Sequence, residues 1–161
     1  MKKSLYLVLS FCCLTTSLFL STDTQAQYIT TVAGDGTPTF FGEGVAATAA
    51  EIHTPQSMYV DAAGDLFFCD ASNNRIRKIS LSGIITTFAG TGVAGYFGEG
   101  VAATAAQFNN TSGIVGDAAG NLYVSDFNNS RVRKINASGI ITTIAGSRLQ
   151  RQMLMTHCLQ S

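Results

Sequence analysis

Short apolar runs alternate with turn residues along most of the chain, and their length is typical of β-strands. Residues Arg75–Ile79 show the pattern well, because charged and apolar side chains alternate there as in a half-buried strand. The sequence predicts four strands in each of two stretches, at residues 57–60, 66–69, 75–79 and 84–88, and at residues 113–116, 122–125, 131–135 and 140–144. Strands this short and this close together predict an antiparallel meander in each stretch.

The turns between these strands carry residues suited to tight reversals of the chain. Asp61 and Gly64 bound the first turn: an aspartate can accept hydrogen bonds from its own backbone, and glycine can adopt a positive φ. Asp117 and Gly120 hold the same positions in the second stretch. In the long connection between the stretches, the alanine-rich residues 102–106 predict one helical turn.

A repeat of 56 residues underlies both stretches. The motif Ile-Thr-Thr-x-Ala-Gly begins at Ile29 and returns at Ile85 and Ile141. When residues 29–84 are aligned with residues 85–140 without gaps, about 30 of the 56 positions are identical. Each repeat is therefore one supersecondary unit, and such units are stabilised mainly by stacking on their neighbours. A four-stranded meander repeated in tandem predicts an all-β fold, a β-propeller with one antiparallel blade per repeat.

The second repeat resembles the NHL repeat. The resemblance rests on the Asp-Ala-Ala-Gly-Asn-Leu-Tyr-Val-Ser-Asp run at residues 117–126, on Asn129, and on Arg131–Ile135. The Ile-Thr-Thr-x-Ala-Gly, Phe-Gly-Glu-Gly and Ala-Thr-Ala-Ala elements are similar to the long-blade bacterial form of that family. The resemblance covers about residues 28–146 and implies a propeller, usually of six blades. The sequence departs from the family pattern at Glu43 and Glu99, where aspartate is usual, at Thr111, where the first repeat has Pro55, and at Gly116, where an apolar residue is usual.

Only two blades are predicted, whereas roughly four to eight blades close a propeller. Within a propeller domain at residues 27–146, we expect residues 57–89 to form the first blade and residues 113–145 the second. Residues 28–34 are expected to be the outer strand of a closing blade. Residues 147–161 lack the repeat, which indicates an out-of-frame tail or, alternatively, a divergent C-terminal segment. We therefore expect a truncated propeller whose open blade faces allow self-association.

The first 26 residues have the three regions of a secretory signal peptide. Two lysines form the positive start, an uncharged apolar run follows at residues 5–20, and a polar stretch ends at Ala26, the expected cleavage site. A retained membrane anchor is the alternative. Cleavage leaves 135 residues with a formal charge of −1 and two cysteines, Cys69 and Cys158, too few for a disulfide framework. The sequence predicts an exported bacterial protein, periplasmic or extracellular, with no membrane span after cleavage.

Composition and charge narrow the classes of function. Ten lysines and arginines balance ten aspartates and glutamates, so the formal charge of the whole chain is zero. The strands at residues 75–79 and 131–135 are basic, but the neutral balance and the predicted export argue against binding to nucleic acid. We interpret the basic side chains Arg75, Arg77 and Lys78, and their counterparts in the second repeat, as a solvated strand face.

The candidate site residues occur in both repeats. Asp70 and Asp126 end the second strand of each blade, and each precedes an asparagine and an arginine at the same spacing. They can be interpreted as a ligand or cation site near the propeller axis, or as turn residues held by backbone N–H groups and the following arginine. We favour the structural role, because a catalytic site usually breaks the symmetry of a repeat. The structural repeat positions are Asp61, Gly64, Asp70, Arg75, Asp117, Gly120, Asp126 and Arg131.

No set of residues in the sequence predicts a catalytic, cofactor or metal site. Glu43 and Glu99 lie in glycine-rich loops that lack the lysine of a phosphate loop, and one carboxylate per loop is too few for calcium. We expect these loops to be structured connections between blades. His53 and His157 have no partner at zinc spacing, and Cys69 is expected to be a small, half-buried side chain.

The sequence therefore predicts a non-catalytic binding or scaffold module, with a protein or carbohydrate ligand that it does not specify. The alternative is a fragment of a six-bladed enzyme, because the resemblance implies relatives that are metal-dependent lactonases or lyases. Their metal ligands are single residues from several blades, and most of those blades are missing here. A third hypothesis is a structural array of further repeats at the cell surface.

Overall fold

Ten β-strands form along residues 28–146, the part of the chain that the computed structural model describes. The first repeat contains β1 (Val45–Ala46), β2 (Pro55–Val60), β3 (Leu66–Asp70), β4 (Arg75–Ile79) and β5 (Ile84–Ala89). The second repeat contains β6 (Val101–Ala102), β7 (Thr111–Gly116), β8 (Leu122–Asp126), β9 (Arg131–Ile135) and β10 (Ile140–Ala145). The predicted signal peptide at residues 1–26 and the tail at residues 147–161 lie outside the described residues.

The strands form two antiparallel sheets, one per repeat. Their order is β1-β5-β4-β3-β2 in the first sheet and β6-β10-β9-β8-β7 in the second. Consecutive strands pair through tight turns, so each sheet contains the predicted meander, and we call the sheets blade 1 and blade 2. The all-β propeller prediction is therefore confirmed for two blades.

Each blade has a fifth, two-residue strand that the sequence pattern did not predict. In blade 1, Val45 and Ala46 pair with Ile85 and Ile84 on the outermost long strand. Both short strands lead directly into single-turn 3-10 helices, at Ala47–Ala49 and Ala103–Ala105. The second of these lies inside residues 102–106, where one helical turn is predicted. Two further 3-10 turns, Ala71–Asn73 and Phe127–Asn129, connect β3 to β4 and β8 to β9.

The main hydrophobic core lies between the two blades. Blade 1 contributes side chains that include Phe67, Cys69 and Ile76, and blade 2 and the connection before it contribute side chains that include Phe108 and Ile114. All five are nearly or completely buried. Burial of apolar surface at this interface is thus the main force that stacks one repeat on the next.

A second, smaller core lies on the side of blade 1 that faces away from blade 2. It contains Phe68, Ile79 and Ile85, with Ala33 packed against it from the N-terminal segment. Residues 28–34 form no strand, although they repeat the sequence of β5 and β10. The N–H of Gly34 donates to the carbonyl of Ala47 at 2.9 Å. The place of residues 28–34 in a closing blade therefore stays a prediction. No helix among the described residues is long and apolar enough to cross a membrane.

Candidate functional site

Asp61 and Asp117 lie in the first turn of each blade. Oδ1 of Asp61 accepts hydrogen bonds from the N–H groups of Ala63 and Asp65, both at 2.9 Å. Oδ1 of Asp117 accepts the two equivalent bonds, also at 2.9 Å. Gly64 and Gly120 have positive φ values of 88° and 78°, which close the turns at low cost. Both aspartates thus hold a turn, as the repeat pattern predicts.

Asp117 has two further partners that Asp61 lacks. Its Oδ2 accepts hydrogen bonds from the side-chain amide of Asn121 at 2.8 Å and from the Tyr123 hydroxyl at 2.9 Å. These donors, with the backbone N–H groups, lower the pKa of Asp117 to about 2. The carboxylate of Asp117 is therefore a fixed negative charge at neutral pH.

Asp70 and Asp126 are completely buried, each at the centre of a polar network. Asp70 accepts hydrogen bonds from the N–H of His53 and the amide of Asn73, both at 2.9 Å, and from Arg77 at 3.5 Å. In blade 2, Asp126 accepts hydrogen bonds from the N–H of Asn109 and the amide of Asn129, both at 2.8 Å, with Arg133 at 3.7 Å. Desolvation by burial raises the pKa of Asp126, although these partners oppose the shift. The networks tie a loop, a turn and a strand together in each blade.

The interpretation of the basic strands as a solvated face is wrong for Arg77 and Arg133. Both side chains are completely buried. Each guanidinium donates to a carbonyl of the glycine-rich loop, that of Gly42 for Arg77 and that of Gly98 for Arg133. Charged and apolar side chains alternate in these strands, and this pattern is the same whether the charged side chains face solvent or a buried acidic partner. Only the folded chain brings that partner close.

Arg75 and Arg131 lie nearer the surface and stack on aromatic rings. The guanidinium of Arg75 lies 3.9 Å from the ring centre of Phe40, and that of Arg131 lies 4.7 Å from the ring centre of Tyr96. Arg75 also donates to the Thr91 carbonyl at 2.8 Å. These contacts tie each arginine to the loop segments around its blade.

The glycine-rich loops are held by their glutamates. Glu43 accepts hydrogen bonds from the N–H of Thr87 at 2.6 Å and from its hydroxyl at 2.7 Å. Glu99 accepts the N–H of Thr143 at 2.8 Å, which lowers the pKa of Glu99. Both carboxylates thus clamp the loop to the outermost long strand of their own blade.

His53 and Cys69 take no part in a metal cluster. Residues 28–146 contain no group of three or more histidine, cysteine, aspartate or glutamate side chains placed to hold a metal ion. Cys69 is completely buried rather than half-buried, and burial raises the pKa of its thiol to about 11. It is therefore a protonated, unreactive core residue at neutral pH.

A cleft of about 680 Å³ opens between the two blades beside the main core. Blade 1 lines it with three aromatic residues, Tyr59, Phe67 and Phe88, and blade 2 lines it with turn residues from 117–122 and 136–139. Tyr59 and Phe67 are cross-strand partners, and the rings of Phe67 and Phe88 meet edge to face with centres 4.9 Å apart. The volume of the cleft lies within the range found for small-molecule sites.

Two carboxylates line the interblade cleft, and the ammonium group of Lys78 lies 5.5 Å from the ring centre of Phe67. The carboxylates are those of Asp61 and Asp117, and no lysine or arginine lines the cleft. Oδ2 of Asp61 has no hydrogen-bond partner among the described residues, so it is available to a ligand. The cleft therefore combines an aromatic surface with one free carboxylate oxygen.

The cleft contains three aromatic positions at which the two repeats differ, and the pattern shared by the repeats does not predict them. Tyr59, Phe67 and Phe88 correspond to Val115, Tyr123 and Ile144 in blade 2. These differences are visible when the two repeats are aligned, whereas the predicted site residues are those that both repeats share. A site that breaks the symmetry must instead be sought among the differences.

Comparison with known proteins agrees with two blades of a β-propeller. The family model of the teneurin NHL domain matches residues 92–160. This match confirms the resemblance to NHL-repeat propellers for the second repeat and its surroundings. Among curated proteins, none matches this chain.

Two solved structures from Bacteroides thetaiotaomicron have the same fold. One is an auxiliary nutrient binding protein, with 28% identity and a TM-score of 0.53 over 71% of this chain. The other is a structural genomics protein of unknown function, with 25% identity and a TM-score of 0.55 over 63% of this chain. The matched regions cover 28% and 26% of those proteins, so this chain spans about a quarter of their length.

Proposed function

We propose that this chain is a binding module of the NHL-propeller type and that the interblade cleft is its ligand site. The observation that carries the proposal is the juxtaposition of the Tyr59, Phe67 and Phe88 side chains with the carboxylate of Asp61. The ligand that fits this lining is a small molecule with an apolar ring and a positively charged or hydrogen-bond-donating group. No arrangement of side chains within residues 28–146 favours the enzymatic alternative, which stays a prediction.

The chemistry of the cleft supports this ligand class. Aromatic side chains bind flat apolar rings by stacking and edge contacts. A carboxylate that is partly removed from water attracts a cation or donor and repels an anion. Because Asp117 uses both oxygens within its own turn, Asp61 is the group that we expect to contact the ligand.

The structural comparison supports binding in general and does not identify the ligand. The relative with 28% identity is described as an auxiliary nutrient binding protein. This chain spans about a quarter of that protein, so any activity of a larger assembly is part of the proposal. A nutrient that is a small organic molecule is compatible with the size of the cleft.

The proposal is tested by titrating the full chain with tyramine, with phenol as the uncharged analogue and benzoate as the anionic one. We expect saturable tyramine binding by isothermal titration calorimetry, weaker phenol binding and no benzoate binding. Asp61→Asn should weaken tyramine binding by about 10- to 100-fold, because a charge-assisted hydrogen bond contributes about 1.5–3 kcal/mol.

The matched control is Asp35→Asn, which removes the same charge from an exposed aspartate that does not line the cleft. It should leave tyramine binding unchanged. Equal binding of benzoate and tyramine, or equal losses in the two variants, would contradict the assignment of the site.

We also propose that the chain is exported. The support is the order of charged, apolar and polar regions in residues 1–26. Expression in a bacterial host followed by N-terminal sequencing of the exported protein tests this. A product that begins at Gln27 is expected, whereas an uncleaved product that stays with the cytoplasmic membrane would favour the anchor alternative.

A further inference from the structure

Each blade of this chain has two different faces, and only one face of each is covered by the other blade. We call the face that blade 1 turns toward blade 2 a trailing face and the face that blade 2 turns toward blade 1 a leading face. The trailing face of blade 1 consists of Tyr59, Phe67, Cys69, Ile76, Phe88 and Ala89. The leading face of blade 2, with the connection before it, includes Ala103, Ala106, Phe108, Ile114, Val124 and Ile141.

Blade 1 also has a leading face, and blade 2 also has a trailing face. No described blade covers either of these two faces. The 56-residue repeat places the trailing face of blade 2 at Val115, Tyr123, Ser125, Val132, Ile144 and Ala145. Val132 is 37% exposed, whereas its equivalent Ile76 is completely buried. On the leading face of blade 1, Met58 is 65% exposed, whereas its equivalent Ile114 is 6% exposed. Within residues 28–146, one face of each kind is thus left without a covering blade. On the leading face of blade 1, Phe68, Ile79 and Ile85 are buried only by the connection before the blade and by Ala33.

The two uncovered faces also match each other in side-chain volume. In the interface between the blades, Tyr59 lies against Gly116 so closely that any side chain at Gly116 would overlap the tyrosine ring. The repeat places Val115 at the position of Tyr59 and Val60 at the position of Gly116. A large and a small residue in the covered interface are therefore replaced by two medium ones on the uncovered faces. Val60 and Val115 are each 56% exposed.

We propose that the leading face of blade 1 binds the trailing face of blade 2 of a second copy of this chain, head to tail. The proposed contact has the same geometry as the interface between blade 1 and blade 2. The specific evidence for a second copy is that the contacting pair Tyr59 and Gly116 is replaced by Val115 and Val60, which match each other in volume. This proposal does not depend on the ligand proposed for the interblade cleft.

One part of the chain has to move for this docking. Ala33 packs on the leading face of blade 1, where the repeat would place Ala145 of the second copy. The side chains of Tyr28, Ile29 and Val32 in the N-terminal segment are 87%, 101% and 60% exposed. Its backbone is held by hydrogen bonds from Gly34 and Asp35 to the carbonyls of Ala47 and Ala50, both at 2.9 Å, and docking has to break these two bonds. The incoming Ala145 replaces Ala33 by an identical side chain, so little apolar burial is lost in the exchange.

The geometry of the contact predicts the kind of assembly. Two different faces meet, so the contact is heterologous and continues until a ring closes. Three copies would supply six blades, within the range in which propellers close. The docked interface should be weaker than the covered one, because Ser57 bonds to the backbone of Ile114 there and the repeat places Gly113 at the position of Ser57.

The direction of docking is tested with two charge variants of the full chain, Val60→Asp on the leading face and Val115→Asp on the trailing face. Light scattering after size-exclusion chromatography should show an oligomer for the wild type and a monomer for each variant alone. A mixture of the two variants should give a heterodimer, because each supplies the face that the other has lost. Leu81→Asp, at a turn residue that is 79% exposed, is the control and should still assemble.

A compensating pair tests the volume match. Val115→Tyr should reduce assembly, because the ring would overlap Val60 of the second copy, and Val60→Gly with Val115→Tyr should restore it. Circular dichroism on every variant shows whether the blades stay folded, which the exposure of both valines predicts. A wild type that is monomeric at all concentrations would overturn the proposal and leave the faces to a blade of another polypeptide. Variants that still assemble alone, or a mixture that stays monomeric, would overturn it equally.

Discussion

At the scale of single residues, the buried arginines Arg77 and Arg133 connect separate elements within each blade. Arg77 connects β4 to Asp70 at the end of β3 and to the carbonyl of Gly42 in the glycine-rich loop. The neighbouring Lys78 pairs with Asp65 at 2.5 Å but is partly exposed. Two ion pairs on one strand therefore differ mainly in their access to water.

The first prediction compares these two pairs. Arg77→Met should lower the free energy of unfolding by about 3–5 kcal/mol, because it leaves the buried Asp70 without its cation. Lys78→Met should lower it by less than about 1 kcal/mol, because water replaces the lost partner. Urea unfolding followed by circular dichroism measures both values. Equal losses in the two variants would show that Arg77 is not buried as described.

The second prediction concerns acid stability. The pKa of Asp117 is lowered to about 2 from an ordinary value of 3.8, so its ionised form stabilises the fold above that ordinary value. This stabilisation is lost as the pH falls from about 4 toward 2. Asp117→Asn should therefore flatten the pH dependence of urea unfolding in this window.

The matched control for Asp117 is the same substitution in the other blade. Asp61→Asn removes a carboxylate from the equivalent turn without removing bonds from an asparagine side chain or a tyrosine hydroxyl. Asp117 keeps all its partners in this variant, so the loss of stability between about pH 4 and 2 should persist. An unchanged slope in Asp117→Asn would mean that the Asn121 and Tyr123 donors do not hold this carboxylate in solution.

At the scale of the elements, β7 contains a glycine that is required by the packing of the neighbouring blade and not by the conformation of its own backbone. Gly113 and Gly116 both lie on this strand, and neither has a positive φ. A side chain at Gly113 would only touch Ser125, at 3.4 Å, whereas one at Gly116 would overlap Tyr59. The strand alone does not distinguish the two glycines, but the packing of blade 1 does.

The third prediction follows from this difference. Gly116→Ala should destabilise the chain by about 1–3 kcal/mol, because an overpacked interface forces the blades apart. Gly113→Ala should change stability by less than about 1 kcal/mol. The double variant Tyr59→Val with Gly116→Val should recover most of the loss, since it copies the residues of the other repeat. Thermal unfolding of the three variants measures these effects, and equal losses at the two glycines would contradict the packing.

The long strands were predictable from the sequence because each is defined by its own run of apolar residues and by the turn residues that flank it. Runs such as Leu66–Asp70 and Arg75–Ile79 end at turn residues, and the structure places each predicted strand within one or two residues of its expected ends. The short outer strand Val45–Ala46 was not predictable, because two residues carry no periodicity and depend on pairing with β5. Burial of Arg77 was missed for the same reason, since its partners Asp70 and Gly42 come from other elements.

The interblade cleft was less predictable than the fold. The repeat pattern selects Asp61 and Asp117 as turn residues, and the structure shows that both also line the cleft. Tyr59 and Phe88 contribute only because blade 2 folds beside them. A site between two blades depends on how the blades stack. A comparison of the two repeat sequences does not contain that information.

At the scale of the whole molecule, the stacking of one blade on the other is the claim on which the remaining conclusions depend. The cleft, the glycine requirement and the two kinds of blade face all follow from the core that includes Phe67, Ile76, Phe108 and Ile114. Loss of this stacking would leave two separate sheets, each with an apolar face exposed to water.

The most direct test is a nuclear Overhauser measurement between the ring protons of Tyr59 and the Hα protons of Gly116. These residues are 57 positions apart in the sequence and lie on different blades. The structure predicts a strong cross-peak, because the Tyr59 ring covers Gly116. Assigned resonances for both residues with no cross-peak between them would contradict the stacking of the blades.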